Sequence, residues 1–276
     1  GLRPYSPVRR LMSRAASRGP ESQLRAPSED GGVLIAPPLG RLERLLDENR
    51  TIRQAWHGDI QGRSVAELAR QARAEMLQAA LAYTRQYRDV AIAPDASSQV
   101  FLAGHQPGLF HPGVWLKNFV LGSAARRHGA VAVNLLVDTD AVKTTSLAVP
   151  SGPRETPHIV SVPFDRADPS VPYEECRVAD LEMVCSFGKR AAEVIASLVP
   201  NPMVKDFWRL ACERAKASGN LGLSLAQARH LVEGDWGLET LELPQSRVCA
   251  TESFRWFVEE GLRELLETAL GVVPRV

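Results

Sequence analysis

The pattern of apolar and polar positions is most informative between Gln99 and Asp140. An apolar run, Val100 to Ala103, rises into Gly104. A loop with three Gly, two His and two Pro follows, and helical spacing then runs from Val114 to about His128. A second apolar run, Val131 to Val137, ends at Asp138-Thr139-Asp140. The pattern predicts strand, loop, helix and strand, with the strands parallel neighbours in one sheet, because this spacing fits a right-handed crossover.

Upstream, Leu39, Leu42, Leu45, Leu46 and Ile52 fall at helical spacing. Ser64 precedes Glu67 by three as in a capping box, and a helical face follows to about Tyr87. These two helices are expected to cover the sheet as an N-terminal layer. Downstream, Val142–Val149 and His158–Phe164 read as strands of a hairpin. Leu181–Leu198 and Met203–Ala217 read as helices parted by Pro200-Asn201-Pro202, then a helix capped by Ser224, a strand at Leu238–Leu243 and an amphipathic helix at Thr251–Leu270. Strands alternating with helices define an α/β class, a Rossmann-like parallel sheet flanked by helices. The expected organisation is a flexible basic tail over 1–32, a helical segment over 33–98 and the α/β core over 99–276.

Composition narrows the function classes. The chain of 276 residues is 45% hydrophobic and 24% charged, and no window approaches the ~18 uninterrupted apolar residues of a membrane span. Its net charge is +1, yet residues 1–25 hold six Arg against Glu21 alone. The body is therefore slightly acidic, which argues against a nucleic-acid-binding face. Cys176, Cys185, Cys212 and Cys249 are widely spaced with no CxxC pair. They read as free thiols of a reducing, cytoplasmic compartment.

The chemistry gathers in the central loop. Gly104, Gly108 and Gly113 permit close backbone approach to a ligand, and the helix start near Gly113 offers N–H groups to an anion. Lys117, one turn in, and Lys143, beyond the second strand, supply positive charge. Neither a P-loop nor a GxGxxG fingerprint is present. His105 and His111 suit phosphate binding, acid–base chemistry or metal ligation, and the last has no HxxxH or HxH spacing to support it. The alternative is that each ring satisfies a loop carbonyl. Asp138 and Asp140 read either as site carboxylates or as turn residues at a strand end. Loops leaving parallel strands at one edge lie together, so His105, His111, Asp138 and Asp140 are expected in one pocket. Asn134, polar within an apolar strand, is expected to hydrogen-bond to a neighbour. Trp115 and Phe110 are expected to fill core.

The run Gly104-His105-Gln106-Pro107-Gly108-Leu109-Phe110 through Gly113 resembles the Gly-Gln-Gln-Ala-Gly-Leu-Leu-Thr-Gly-Pro motif of the bacillithiol-biosynthesis cysteine-adding enzymes. Bacterial proteins of uncharacterised function with a GHQPxLFHPGVWxKNF motif are similar over the same stretch. The resemblance implies a nucleotidylyltransferase-like core and a ligase joining cysteine to an amino sugar conjugate. It departs from that family at His105, in place of the first Gln, and at an acidic motif without its His. The family's long coiled-coil arm has no counterpart, as in a fragment or reduced homologue. His111-Pro112-Gly113 also resembles part of the HxGH loop of nucleotidylyltransferases, with Val114 where the second His stands.

These readings make His105, His111, Asp138 and Asp140 the candidate catalytic residues. Gly104, Gly108, Gly113, Lys117 and Lys143 are the candidate cofactor-binding set, with ATP or ADP the candidate cofactor and no metal assigned. The expected partner is a small-molecule substrate rather than nucleic acid or membrane, with a homodimer the candidate assembly. A catalytically degenerate binding or scaffold protein and a nucleotidylyltransferase-like enzyme are the alternatives.

Overall fold

The computed structural model describes residues 25, 27–55, 57–95, 97–109 and 111–270, the last seven by backbone alone. Nearly all of the basic tail and Phe110 therefore lie outside the described residues. The chain divides between His57 and Gly58 into two units. In the first, a short 3-10 turn, Leu39–Arg41, leads into helix α1, Leu42–Gln54, where the leucine spacing places it.

The second unit holds everything else. A two-residue pair, β1 (Asp59–Ile60) with β2 (Arg63–Ser64), precedes helix α2, Val65–Thr84. Ser64 occupies the N-cap position, but its side chain makes no cap hydrogen bond. Strand β3, Val100–His105, is followed by helix α3, Pro112–Arg127, and strand β4, Val131–Leu136. β3 and β4 are parallel, with Val100 opposite Val131 and His105 opposite Leu136. Strands β5 (Ser146–Ser151) and β6 (His158–Pro163) form a separate antiparallel hairpin. Helices α4 (Leu181–Ile195), α5 (Val204–Ser218) and α6 (Leu221–Asp235) follow. Strand β7, Leu241–Pro244, pairs parallel with β4 on its other side, giving the order β3-β4-β7. Helices α7 (Gln245–Cys249) and α8 (Glu252–Leu270) end the described chain.

Helices cover both faces of this parallel sheet, which its central strand requires. Val133, Leu135, Leu241 and Leu243 pack with Leu77 and Ala80 of α2. The intervening Ala132 packs with Leu121 and Ala125 of α3, the period-2 alternation of a strand. A larger cluster joins the hairpin to α4, α5 and α6 around Phe164, Phe187 and Trp208. The Phe187 and Trp208 rings lie 4.1 Å apart between centroids, and Trp208 Nε1 donates to the Val184 carbonyl.

Two sequence expectations are corrected. Cys185 and Cys212 form a disulfide, so the four cysteines are not all free thiols. Twenty-seven residues separate them, but α4 and α5 pack on each other after the Pro200-Asn201-Pro202 turn. Helix α6 starts three residues before Ser224. Asn220 is its cap, accepting from Leu223 N–H at 2.8 Å, while Ser224 Oγ bonds back to the Asn220 carbonyl. Among the described residues no helix is long and apolar enough to cross a membrane.

Candidate small-molecule site

The C-terminal edge of the sheet gathers the segments that the loop pattern singles out. His105 is the last residue of β3, Asp138 lies two residues past β4, and Ser246 two residues past β7. The first two loops do meet, through an unexpected pair: Gln106 Nε2 donates to Asp140 Oδ2 at 2.6 Å.

The two other carboxylate and imidazole candidates have local tasks. Asp138 is buried, and its carboxylate accepts from Ser246 N–H at 2.9 Å and Ser246 Oγ at 2.5 Å. It fastens the end of β4 to the first turn of α7. His111 is exposed at the N-cap of α3, where its Nδ1 accepts from Gly113 N–H at 3.1 Å. That bond needs an unprotonated Nδ1 and occupies one of the N–H groups a ligand anion would use.

A pocket of about 230 Å³ opens beside the 104–111 loop. Its wall includes His105, Gly108, Lys143, Thr144, Tyr173 and Leu221. His105, Gly108 and Lys143 thus share this space, whereas His111, Asp138, Asp140, Gly104, Gly113 and Lys117 are not among the lining residues. Lys117 Nζ reaches the Gly104 carbonyl at 3.4 Å from the outside of α3. Packing explains the glycines. A Cβ on Gly104 would stand 3.1 Å from the Leu135 carbonyl of the paired strand. One on Gly108 would stand 2.9 Å from the Tyr173 hydroxyl.

Three cations act on the His105 ring. Desolvation is the main cause pushing the His105 imidazole pKa below its ordinary value, and Lys117, Arg229 and Lys143 push it the same way. The Gln106 carbonyl opposes them, lying 3.3 Å from Nδ1. His105 is therefore neutral at physiological pH.

A buried polar network joins α6, β7, β4 and α3. Arg229 of α6 pairs with Glu233, one turn on, at 3.3 Å and with Glu242 at the middle of β7. Glu242 also accepts from Asn134 Nδ2 at 2.8 Å, directly across the β4–β7 ladder, which is the partner expected for that asparagine. Glu233 Oε1 accepts from Trp115 Nε1 at 2.6 Å and Asn118 Nδ2 at 2.7 Å, both on α3. Trp115 is thus held by a hydrogen bond as well as by packing. Sequence reading passed over Arg229, Glu233 and Glu242, although two signals were present. Glu242 interrupts the apolar run Leu241–Leu243, and Arg229 and Glu233 stand at i, i+4 in a helix otherwise rich in Leu, Ala and Gly. Among the described residues no group of three or more His, Cys, Asp or Glu is placed to hold a metal ion.

The fold and site thus define an α/β protein with a pocket of about 230 Å³ at the C-terminal edge of a parallel sheet. No family model and no curated protein matches the chain.

Proposed function

We propose that this pocket binds a small anionic substrate and that the chain is a ligase-type enzyme joining cysteine, or a similar amino acid, to an amino sugar conjugate. The observation that carries the reading is His105: a neutral imidazole at a sheet edge, facing a pocket that Lys143 also lines. Lys143 holds a carboxylate or phosphate. His105 takes the proton from an attacking amine, and Tyr173, packed over Gly108, shapes the wall. The resemblance of the Gly104–Gly113 run supplies the reaction class and a nucleotidylyltransferase-like core, with α2 covering one face of the sheet. ATP or ADP fits the donor set, since Lys143 suits a phosphate chain; bound there, it would activate a carboxyl group. Asp138 and His111 contribute by fixing the loops rather than by touching substrate.

Calorimetric titration of the full chain with tripolyphosphate and with ATP tests the binding step. Binding should be present, fall at least tenfold in Lys143→Gln, and leave that variant's melting temperature unchanged. Mass spectrometry of mixtures with cysteine, ATP and an amino sugar conjugate should show an adduct that His105→Ala abolishes. Failure of both anions to bind, or binding indifferent to Lys143, overturns the reading.

A further inference from the structure

Six apolar side chains, Leu109, Val142, Leu147, Phe164, Leu221 and Leu225, line the pocket beside the 104–111 loop. We propose that this pocket seats the side chain of a bulky apolar amino acid, of the leucine or phenylalanine class, with its carboxylate against Lys143 and its amine toward His105. The inference rests on the anion-binding reading above and specifies the amino acid, which it places beyond cysteine in size.

Burial sets the orientation. Val142, Phe164, Leu221 and Leu225 are buried, whereas Lys143 and Thr144 are exposed. The apolar end of the pocket is therefore its interior, and the lysine stands on the solvent side. The Lys143 ammonium makes no hydrogen bond or ion pair among the described residues, so its charge is available to a ligand. A molecule with one anionic head and an apolar body matches this gradient.

Chemistry and size narrow the body. Two polar side chains of the wall are already engaged: the Gln106 amide donates to Asp140, and Thr144 Oγ1 donates to the Ser146 carbonyl at 3.1 Å and accepts from Ser146 N–H at 3.0 Å. A sugar ring in the interior would bring several hydroxyls out of water to face alkyl and aryl groups, which is unfavourable. The interior therefore suits a hydrocarbon body, and the sugar of the conjugate stays on the solvent side. An apolar cavity of ~150 Å³ holds benzene. About 230 Å³ has room for a ring or a branched alkyl chain with the atoms that join it to a carboxylate. The thiol of cysteine would fill less of it, and unfilled apolar space forfeits the dispersion contacts of its lining. One methylene in a hydrophobic pocket discriminates by ~10–200-fold, which sets the scale of the preference.

The test titrates the full chain calorimetrically with leucine, phenylalanine, cysteine, aspartate and leucinamide. Leucine or phenylalanine should bind at least tenfold tighter than cysteine, and aspartate more weakly still. Leu147→Asn, at a partly buried position of the wall, should weaken leucine and phenylalanine at least tenfold and leave tripolyphosphate binding unchanged. Melting curves show whether that variant folds, and if it does not, the wild-type series decides alone. Lys143→Gln should weaken leucine but not leucinamide, which lacks the carboxylate. Cysteine binding as tightly as leucine, aspartate binding more tightly than either, or a Leu147→Asn effect equal on leucine and tripolyphosphate overturns the apolar seat and leaves the anion site standing. Absence of leucine and phenylalanine binding, with tripolyphosphate still bound, does the same. Leucine and leucinamide binding equally, both weakened by Leu147→Asn and neither by Lys143→Gln, upholds the apolar seat and overturns the anion site instead.

Discussion

Replacing Arg229 with Met tests the buried network that joins α6 to β7. Arg229, Glu233 and Glu242 have side chains 5%, 1% and 0% exposed, so one cation serves two carboxylates almost out of reach of water. Met keeps the length and apolar stem of the side chain and removes only the charge and its donors. Both carboxylates then lose their counter-ion, and breaking a buried pair in this way costs about 3–5 kcal/mol. At ~2–4 °C per kcal/mol for a domain of this size, the melting temperature should fall by roughly 10 °C. Glu242→Gln alone should cost less, because an Arg229–Glu233 pair remains. The double variant should be more stable than Arg229→Met, since one uncompensated carboxylate is gone; the cycle isolates that coupling. Thermal and urea denaturation followed by circular dichroism reads each value. A loss below ~1 kcal/mol in Arg229→Met, or a double variant no better than the single, refutes the view that this arginine holds the two carboxylates in place.

Burial, aided by the Arg88 charge, pushes the His230 imidazole down to about 3, so it stays neutral in the fold while the unfolded chain takes up a proton near 6.5. Its share of stability is present above that pH and falls by ~3 kcal/mol between pH 7 and 4; the pH dependence of urea unfolding should flatten by that amount in His230→Gln, and an unchanged slope would show the ring to be protonated already. Asn220→Ala removes the cap on Leu223 N–H and the donor to the Tyr173 carbonyl at 2.8 Å. It should cost about 2–3 kcal/mol, and Asn220→Asp, which keeps the cap and loses the donor, should recover about half in the same denaturation assay.

How far the site could be read from the chain depends on which interactions are local. The parallel β3–β4 pair and its crossover helix follow from period-2 and 3.6-residue spacing within 40 consecutive residues, and the His105-Leu136 register places the two loops together as that topology requires. What spacing does not contain is the partner of each polar side chain once the loops have met. Asp138 could have faced His105, but strand β7 enters the sheet beside β4 and brings Ser246, 108 residues later, into the carboxylate's reach. His111 could have faced the pocket, but the nearest unsatisfied donor was the N–H of Gly113, two residues away, and a cap forms with no ordering beyond its own turn. The same logic explains the cysteines: sequence separation disguised a pair that two packed helices bring within a 4.8 Å Cα separation. Conversely, Asn134 was legible because a lone amide inside a buried strand must be satisfied across the ladder, and β7 answers it with Glu242. That glutamate then requires Arg229, Arg229 pairs in turn with Glu233, and Glu233 fixes Trp115. The polar residue that most disturbs the hydrophobic pattern of β4 is therefore the first link in a chain of buried contacts that reaches Trp115 of α3.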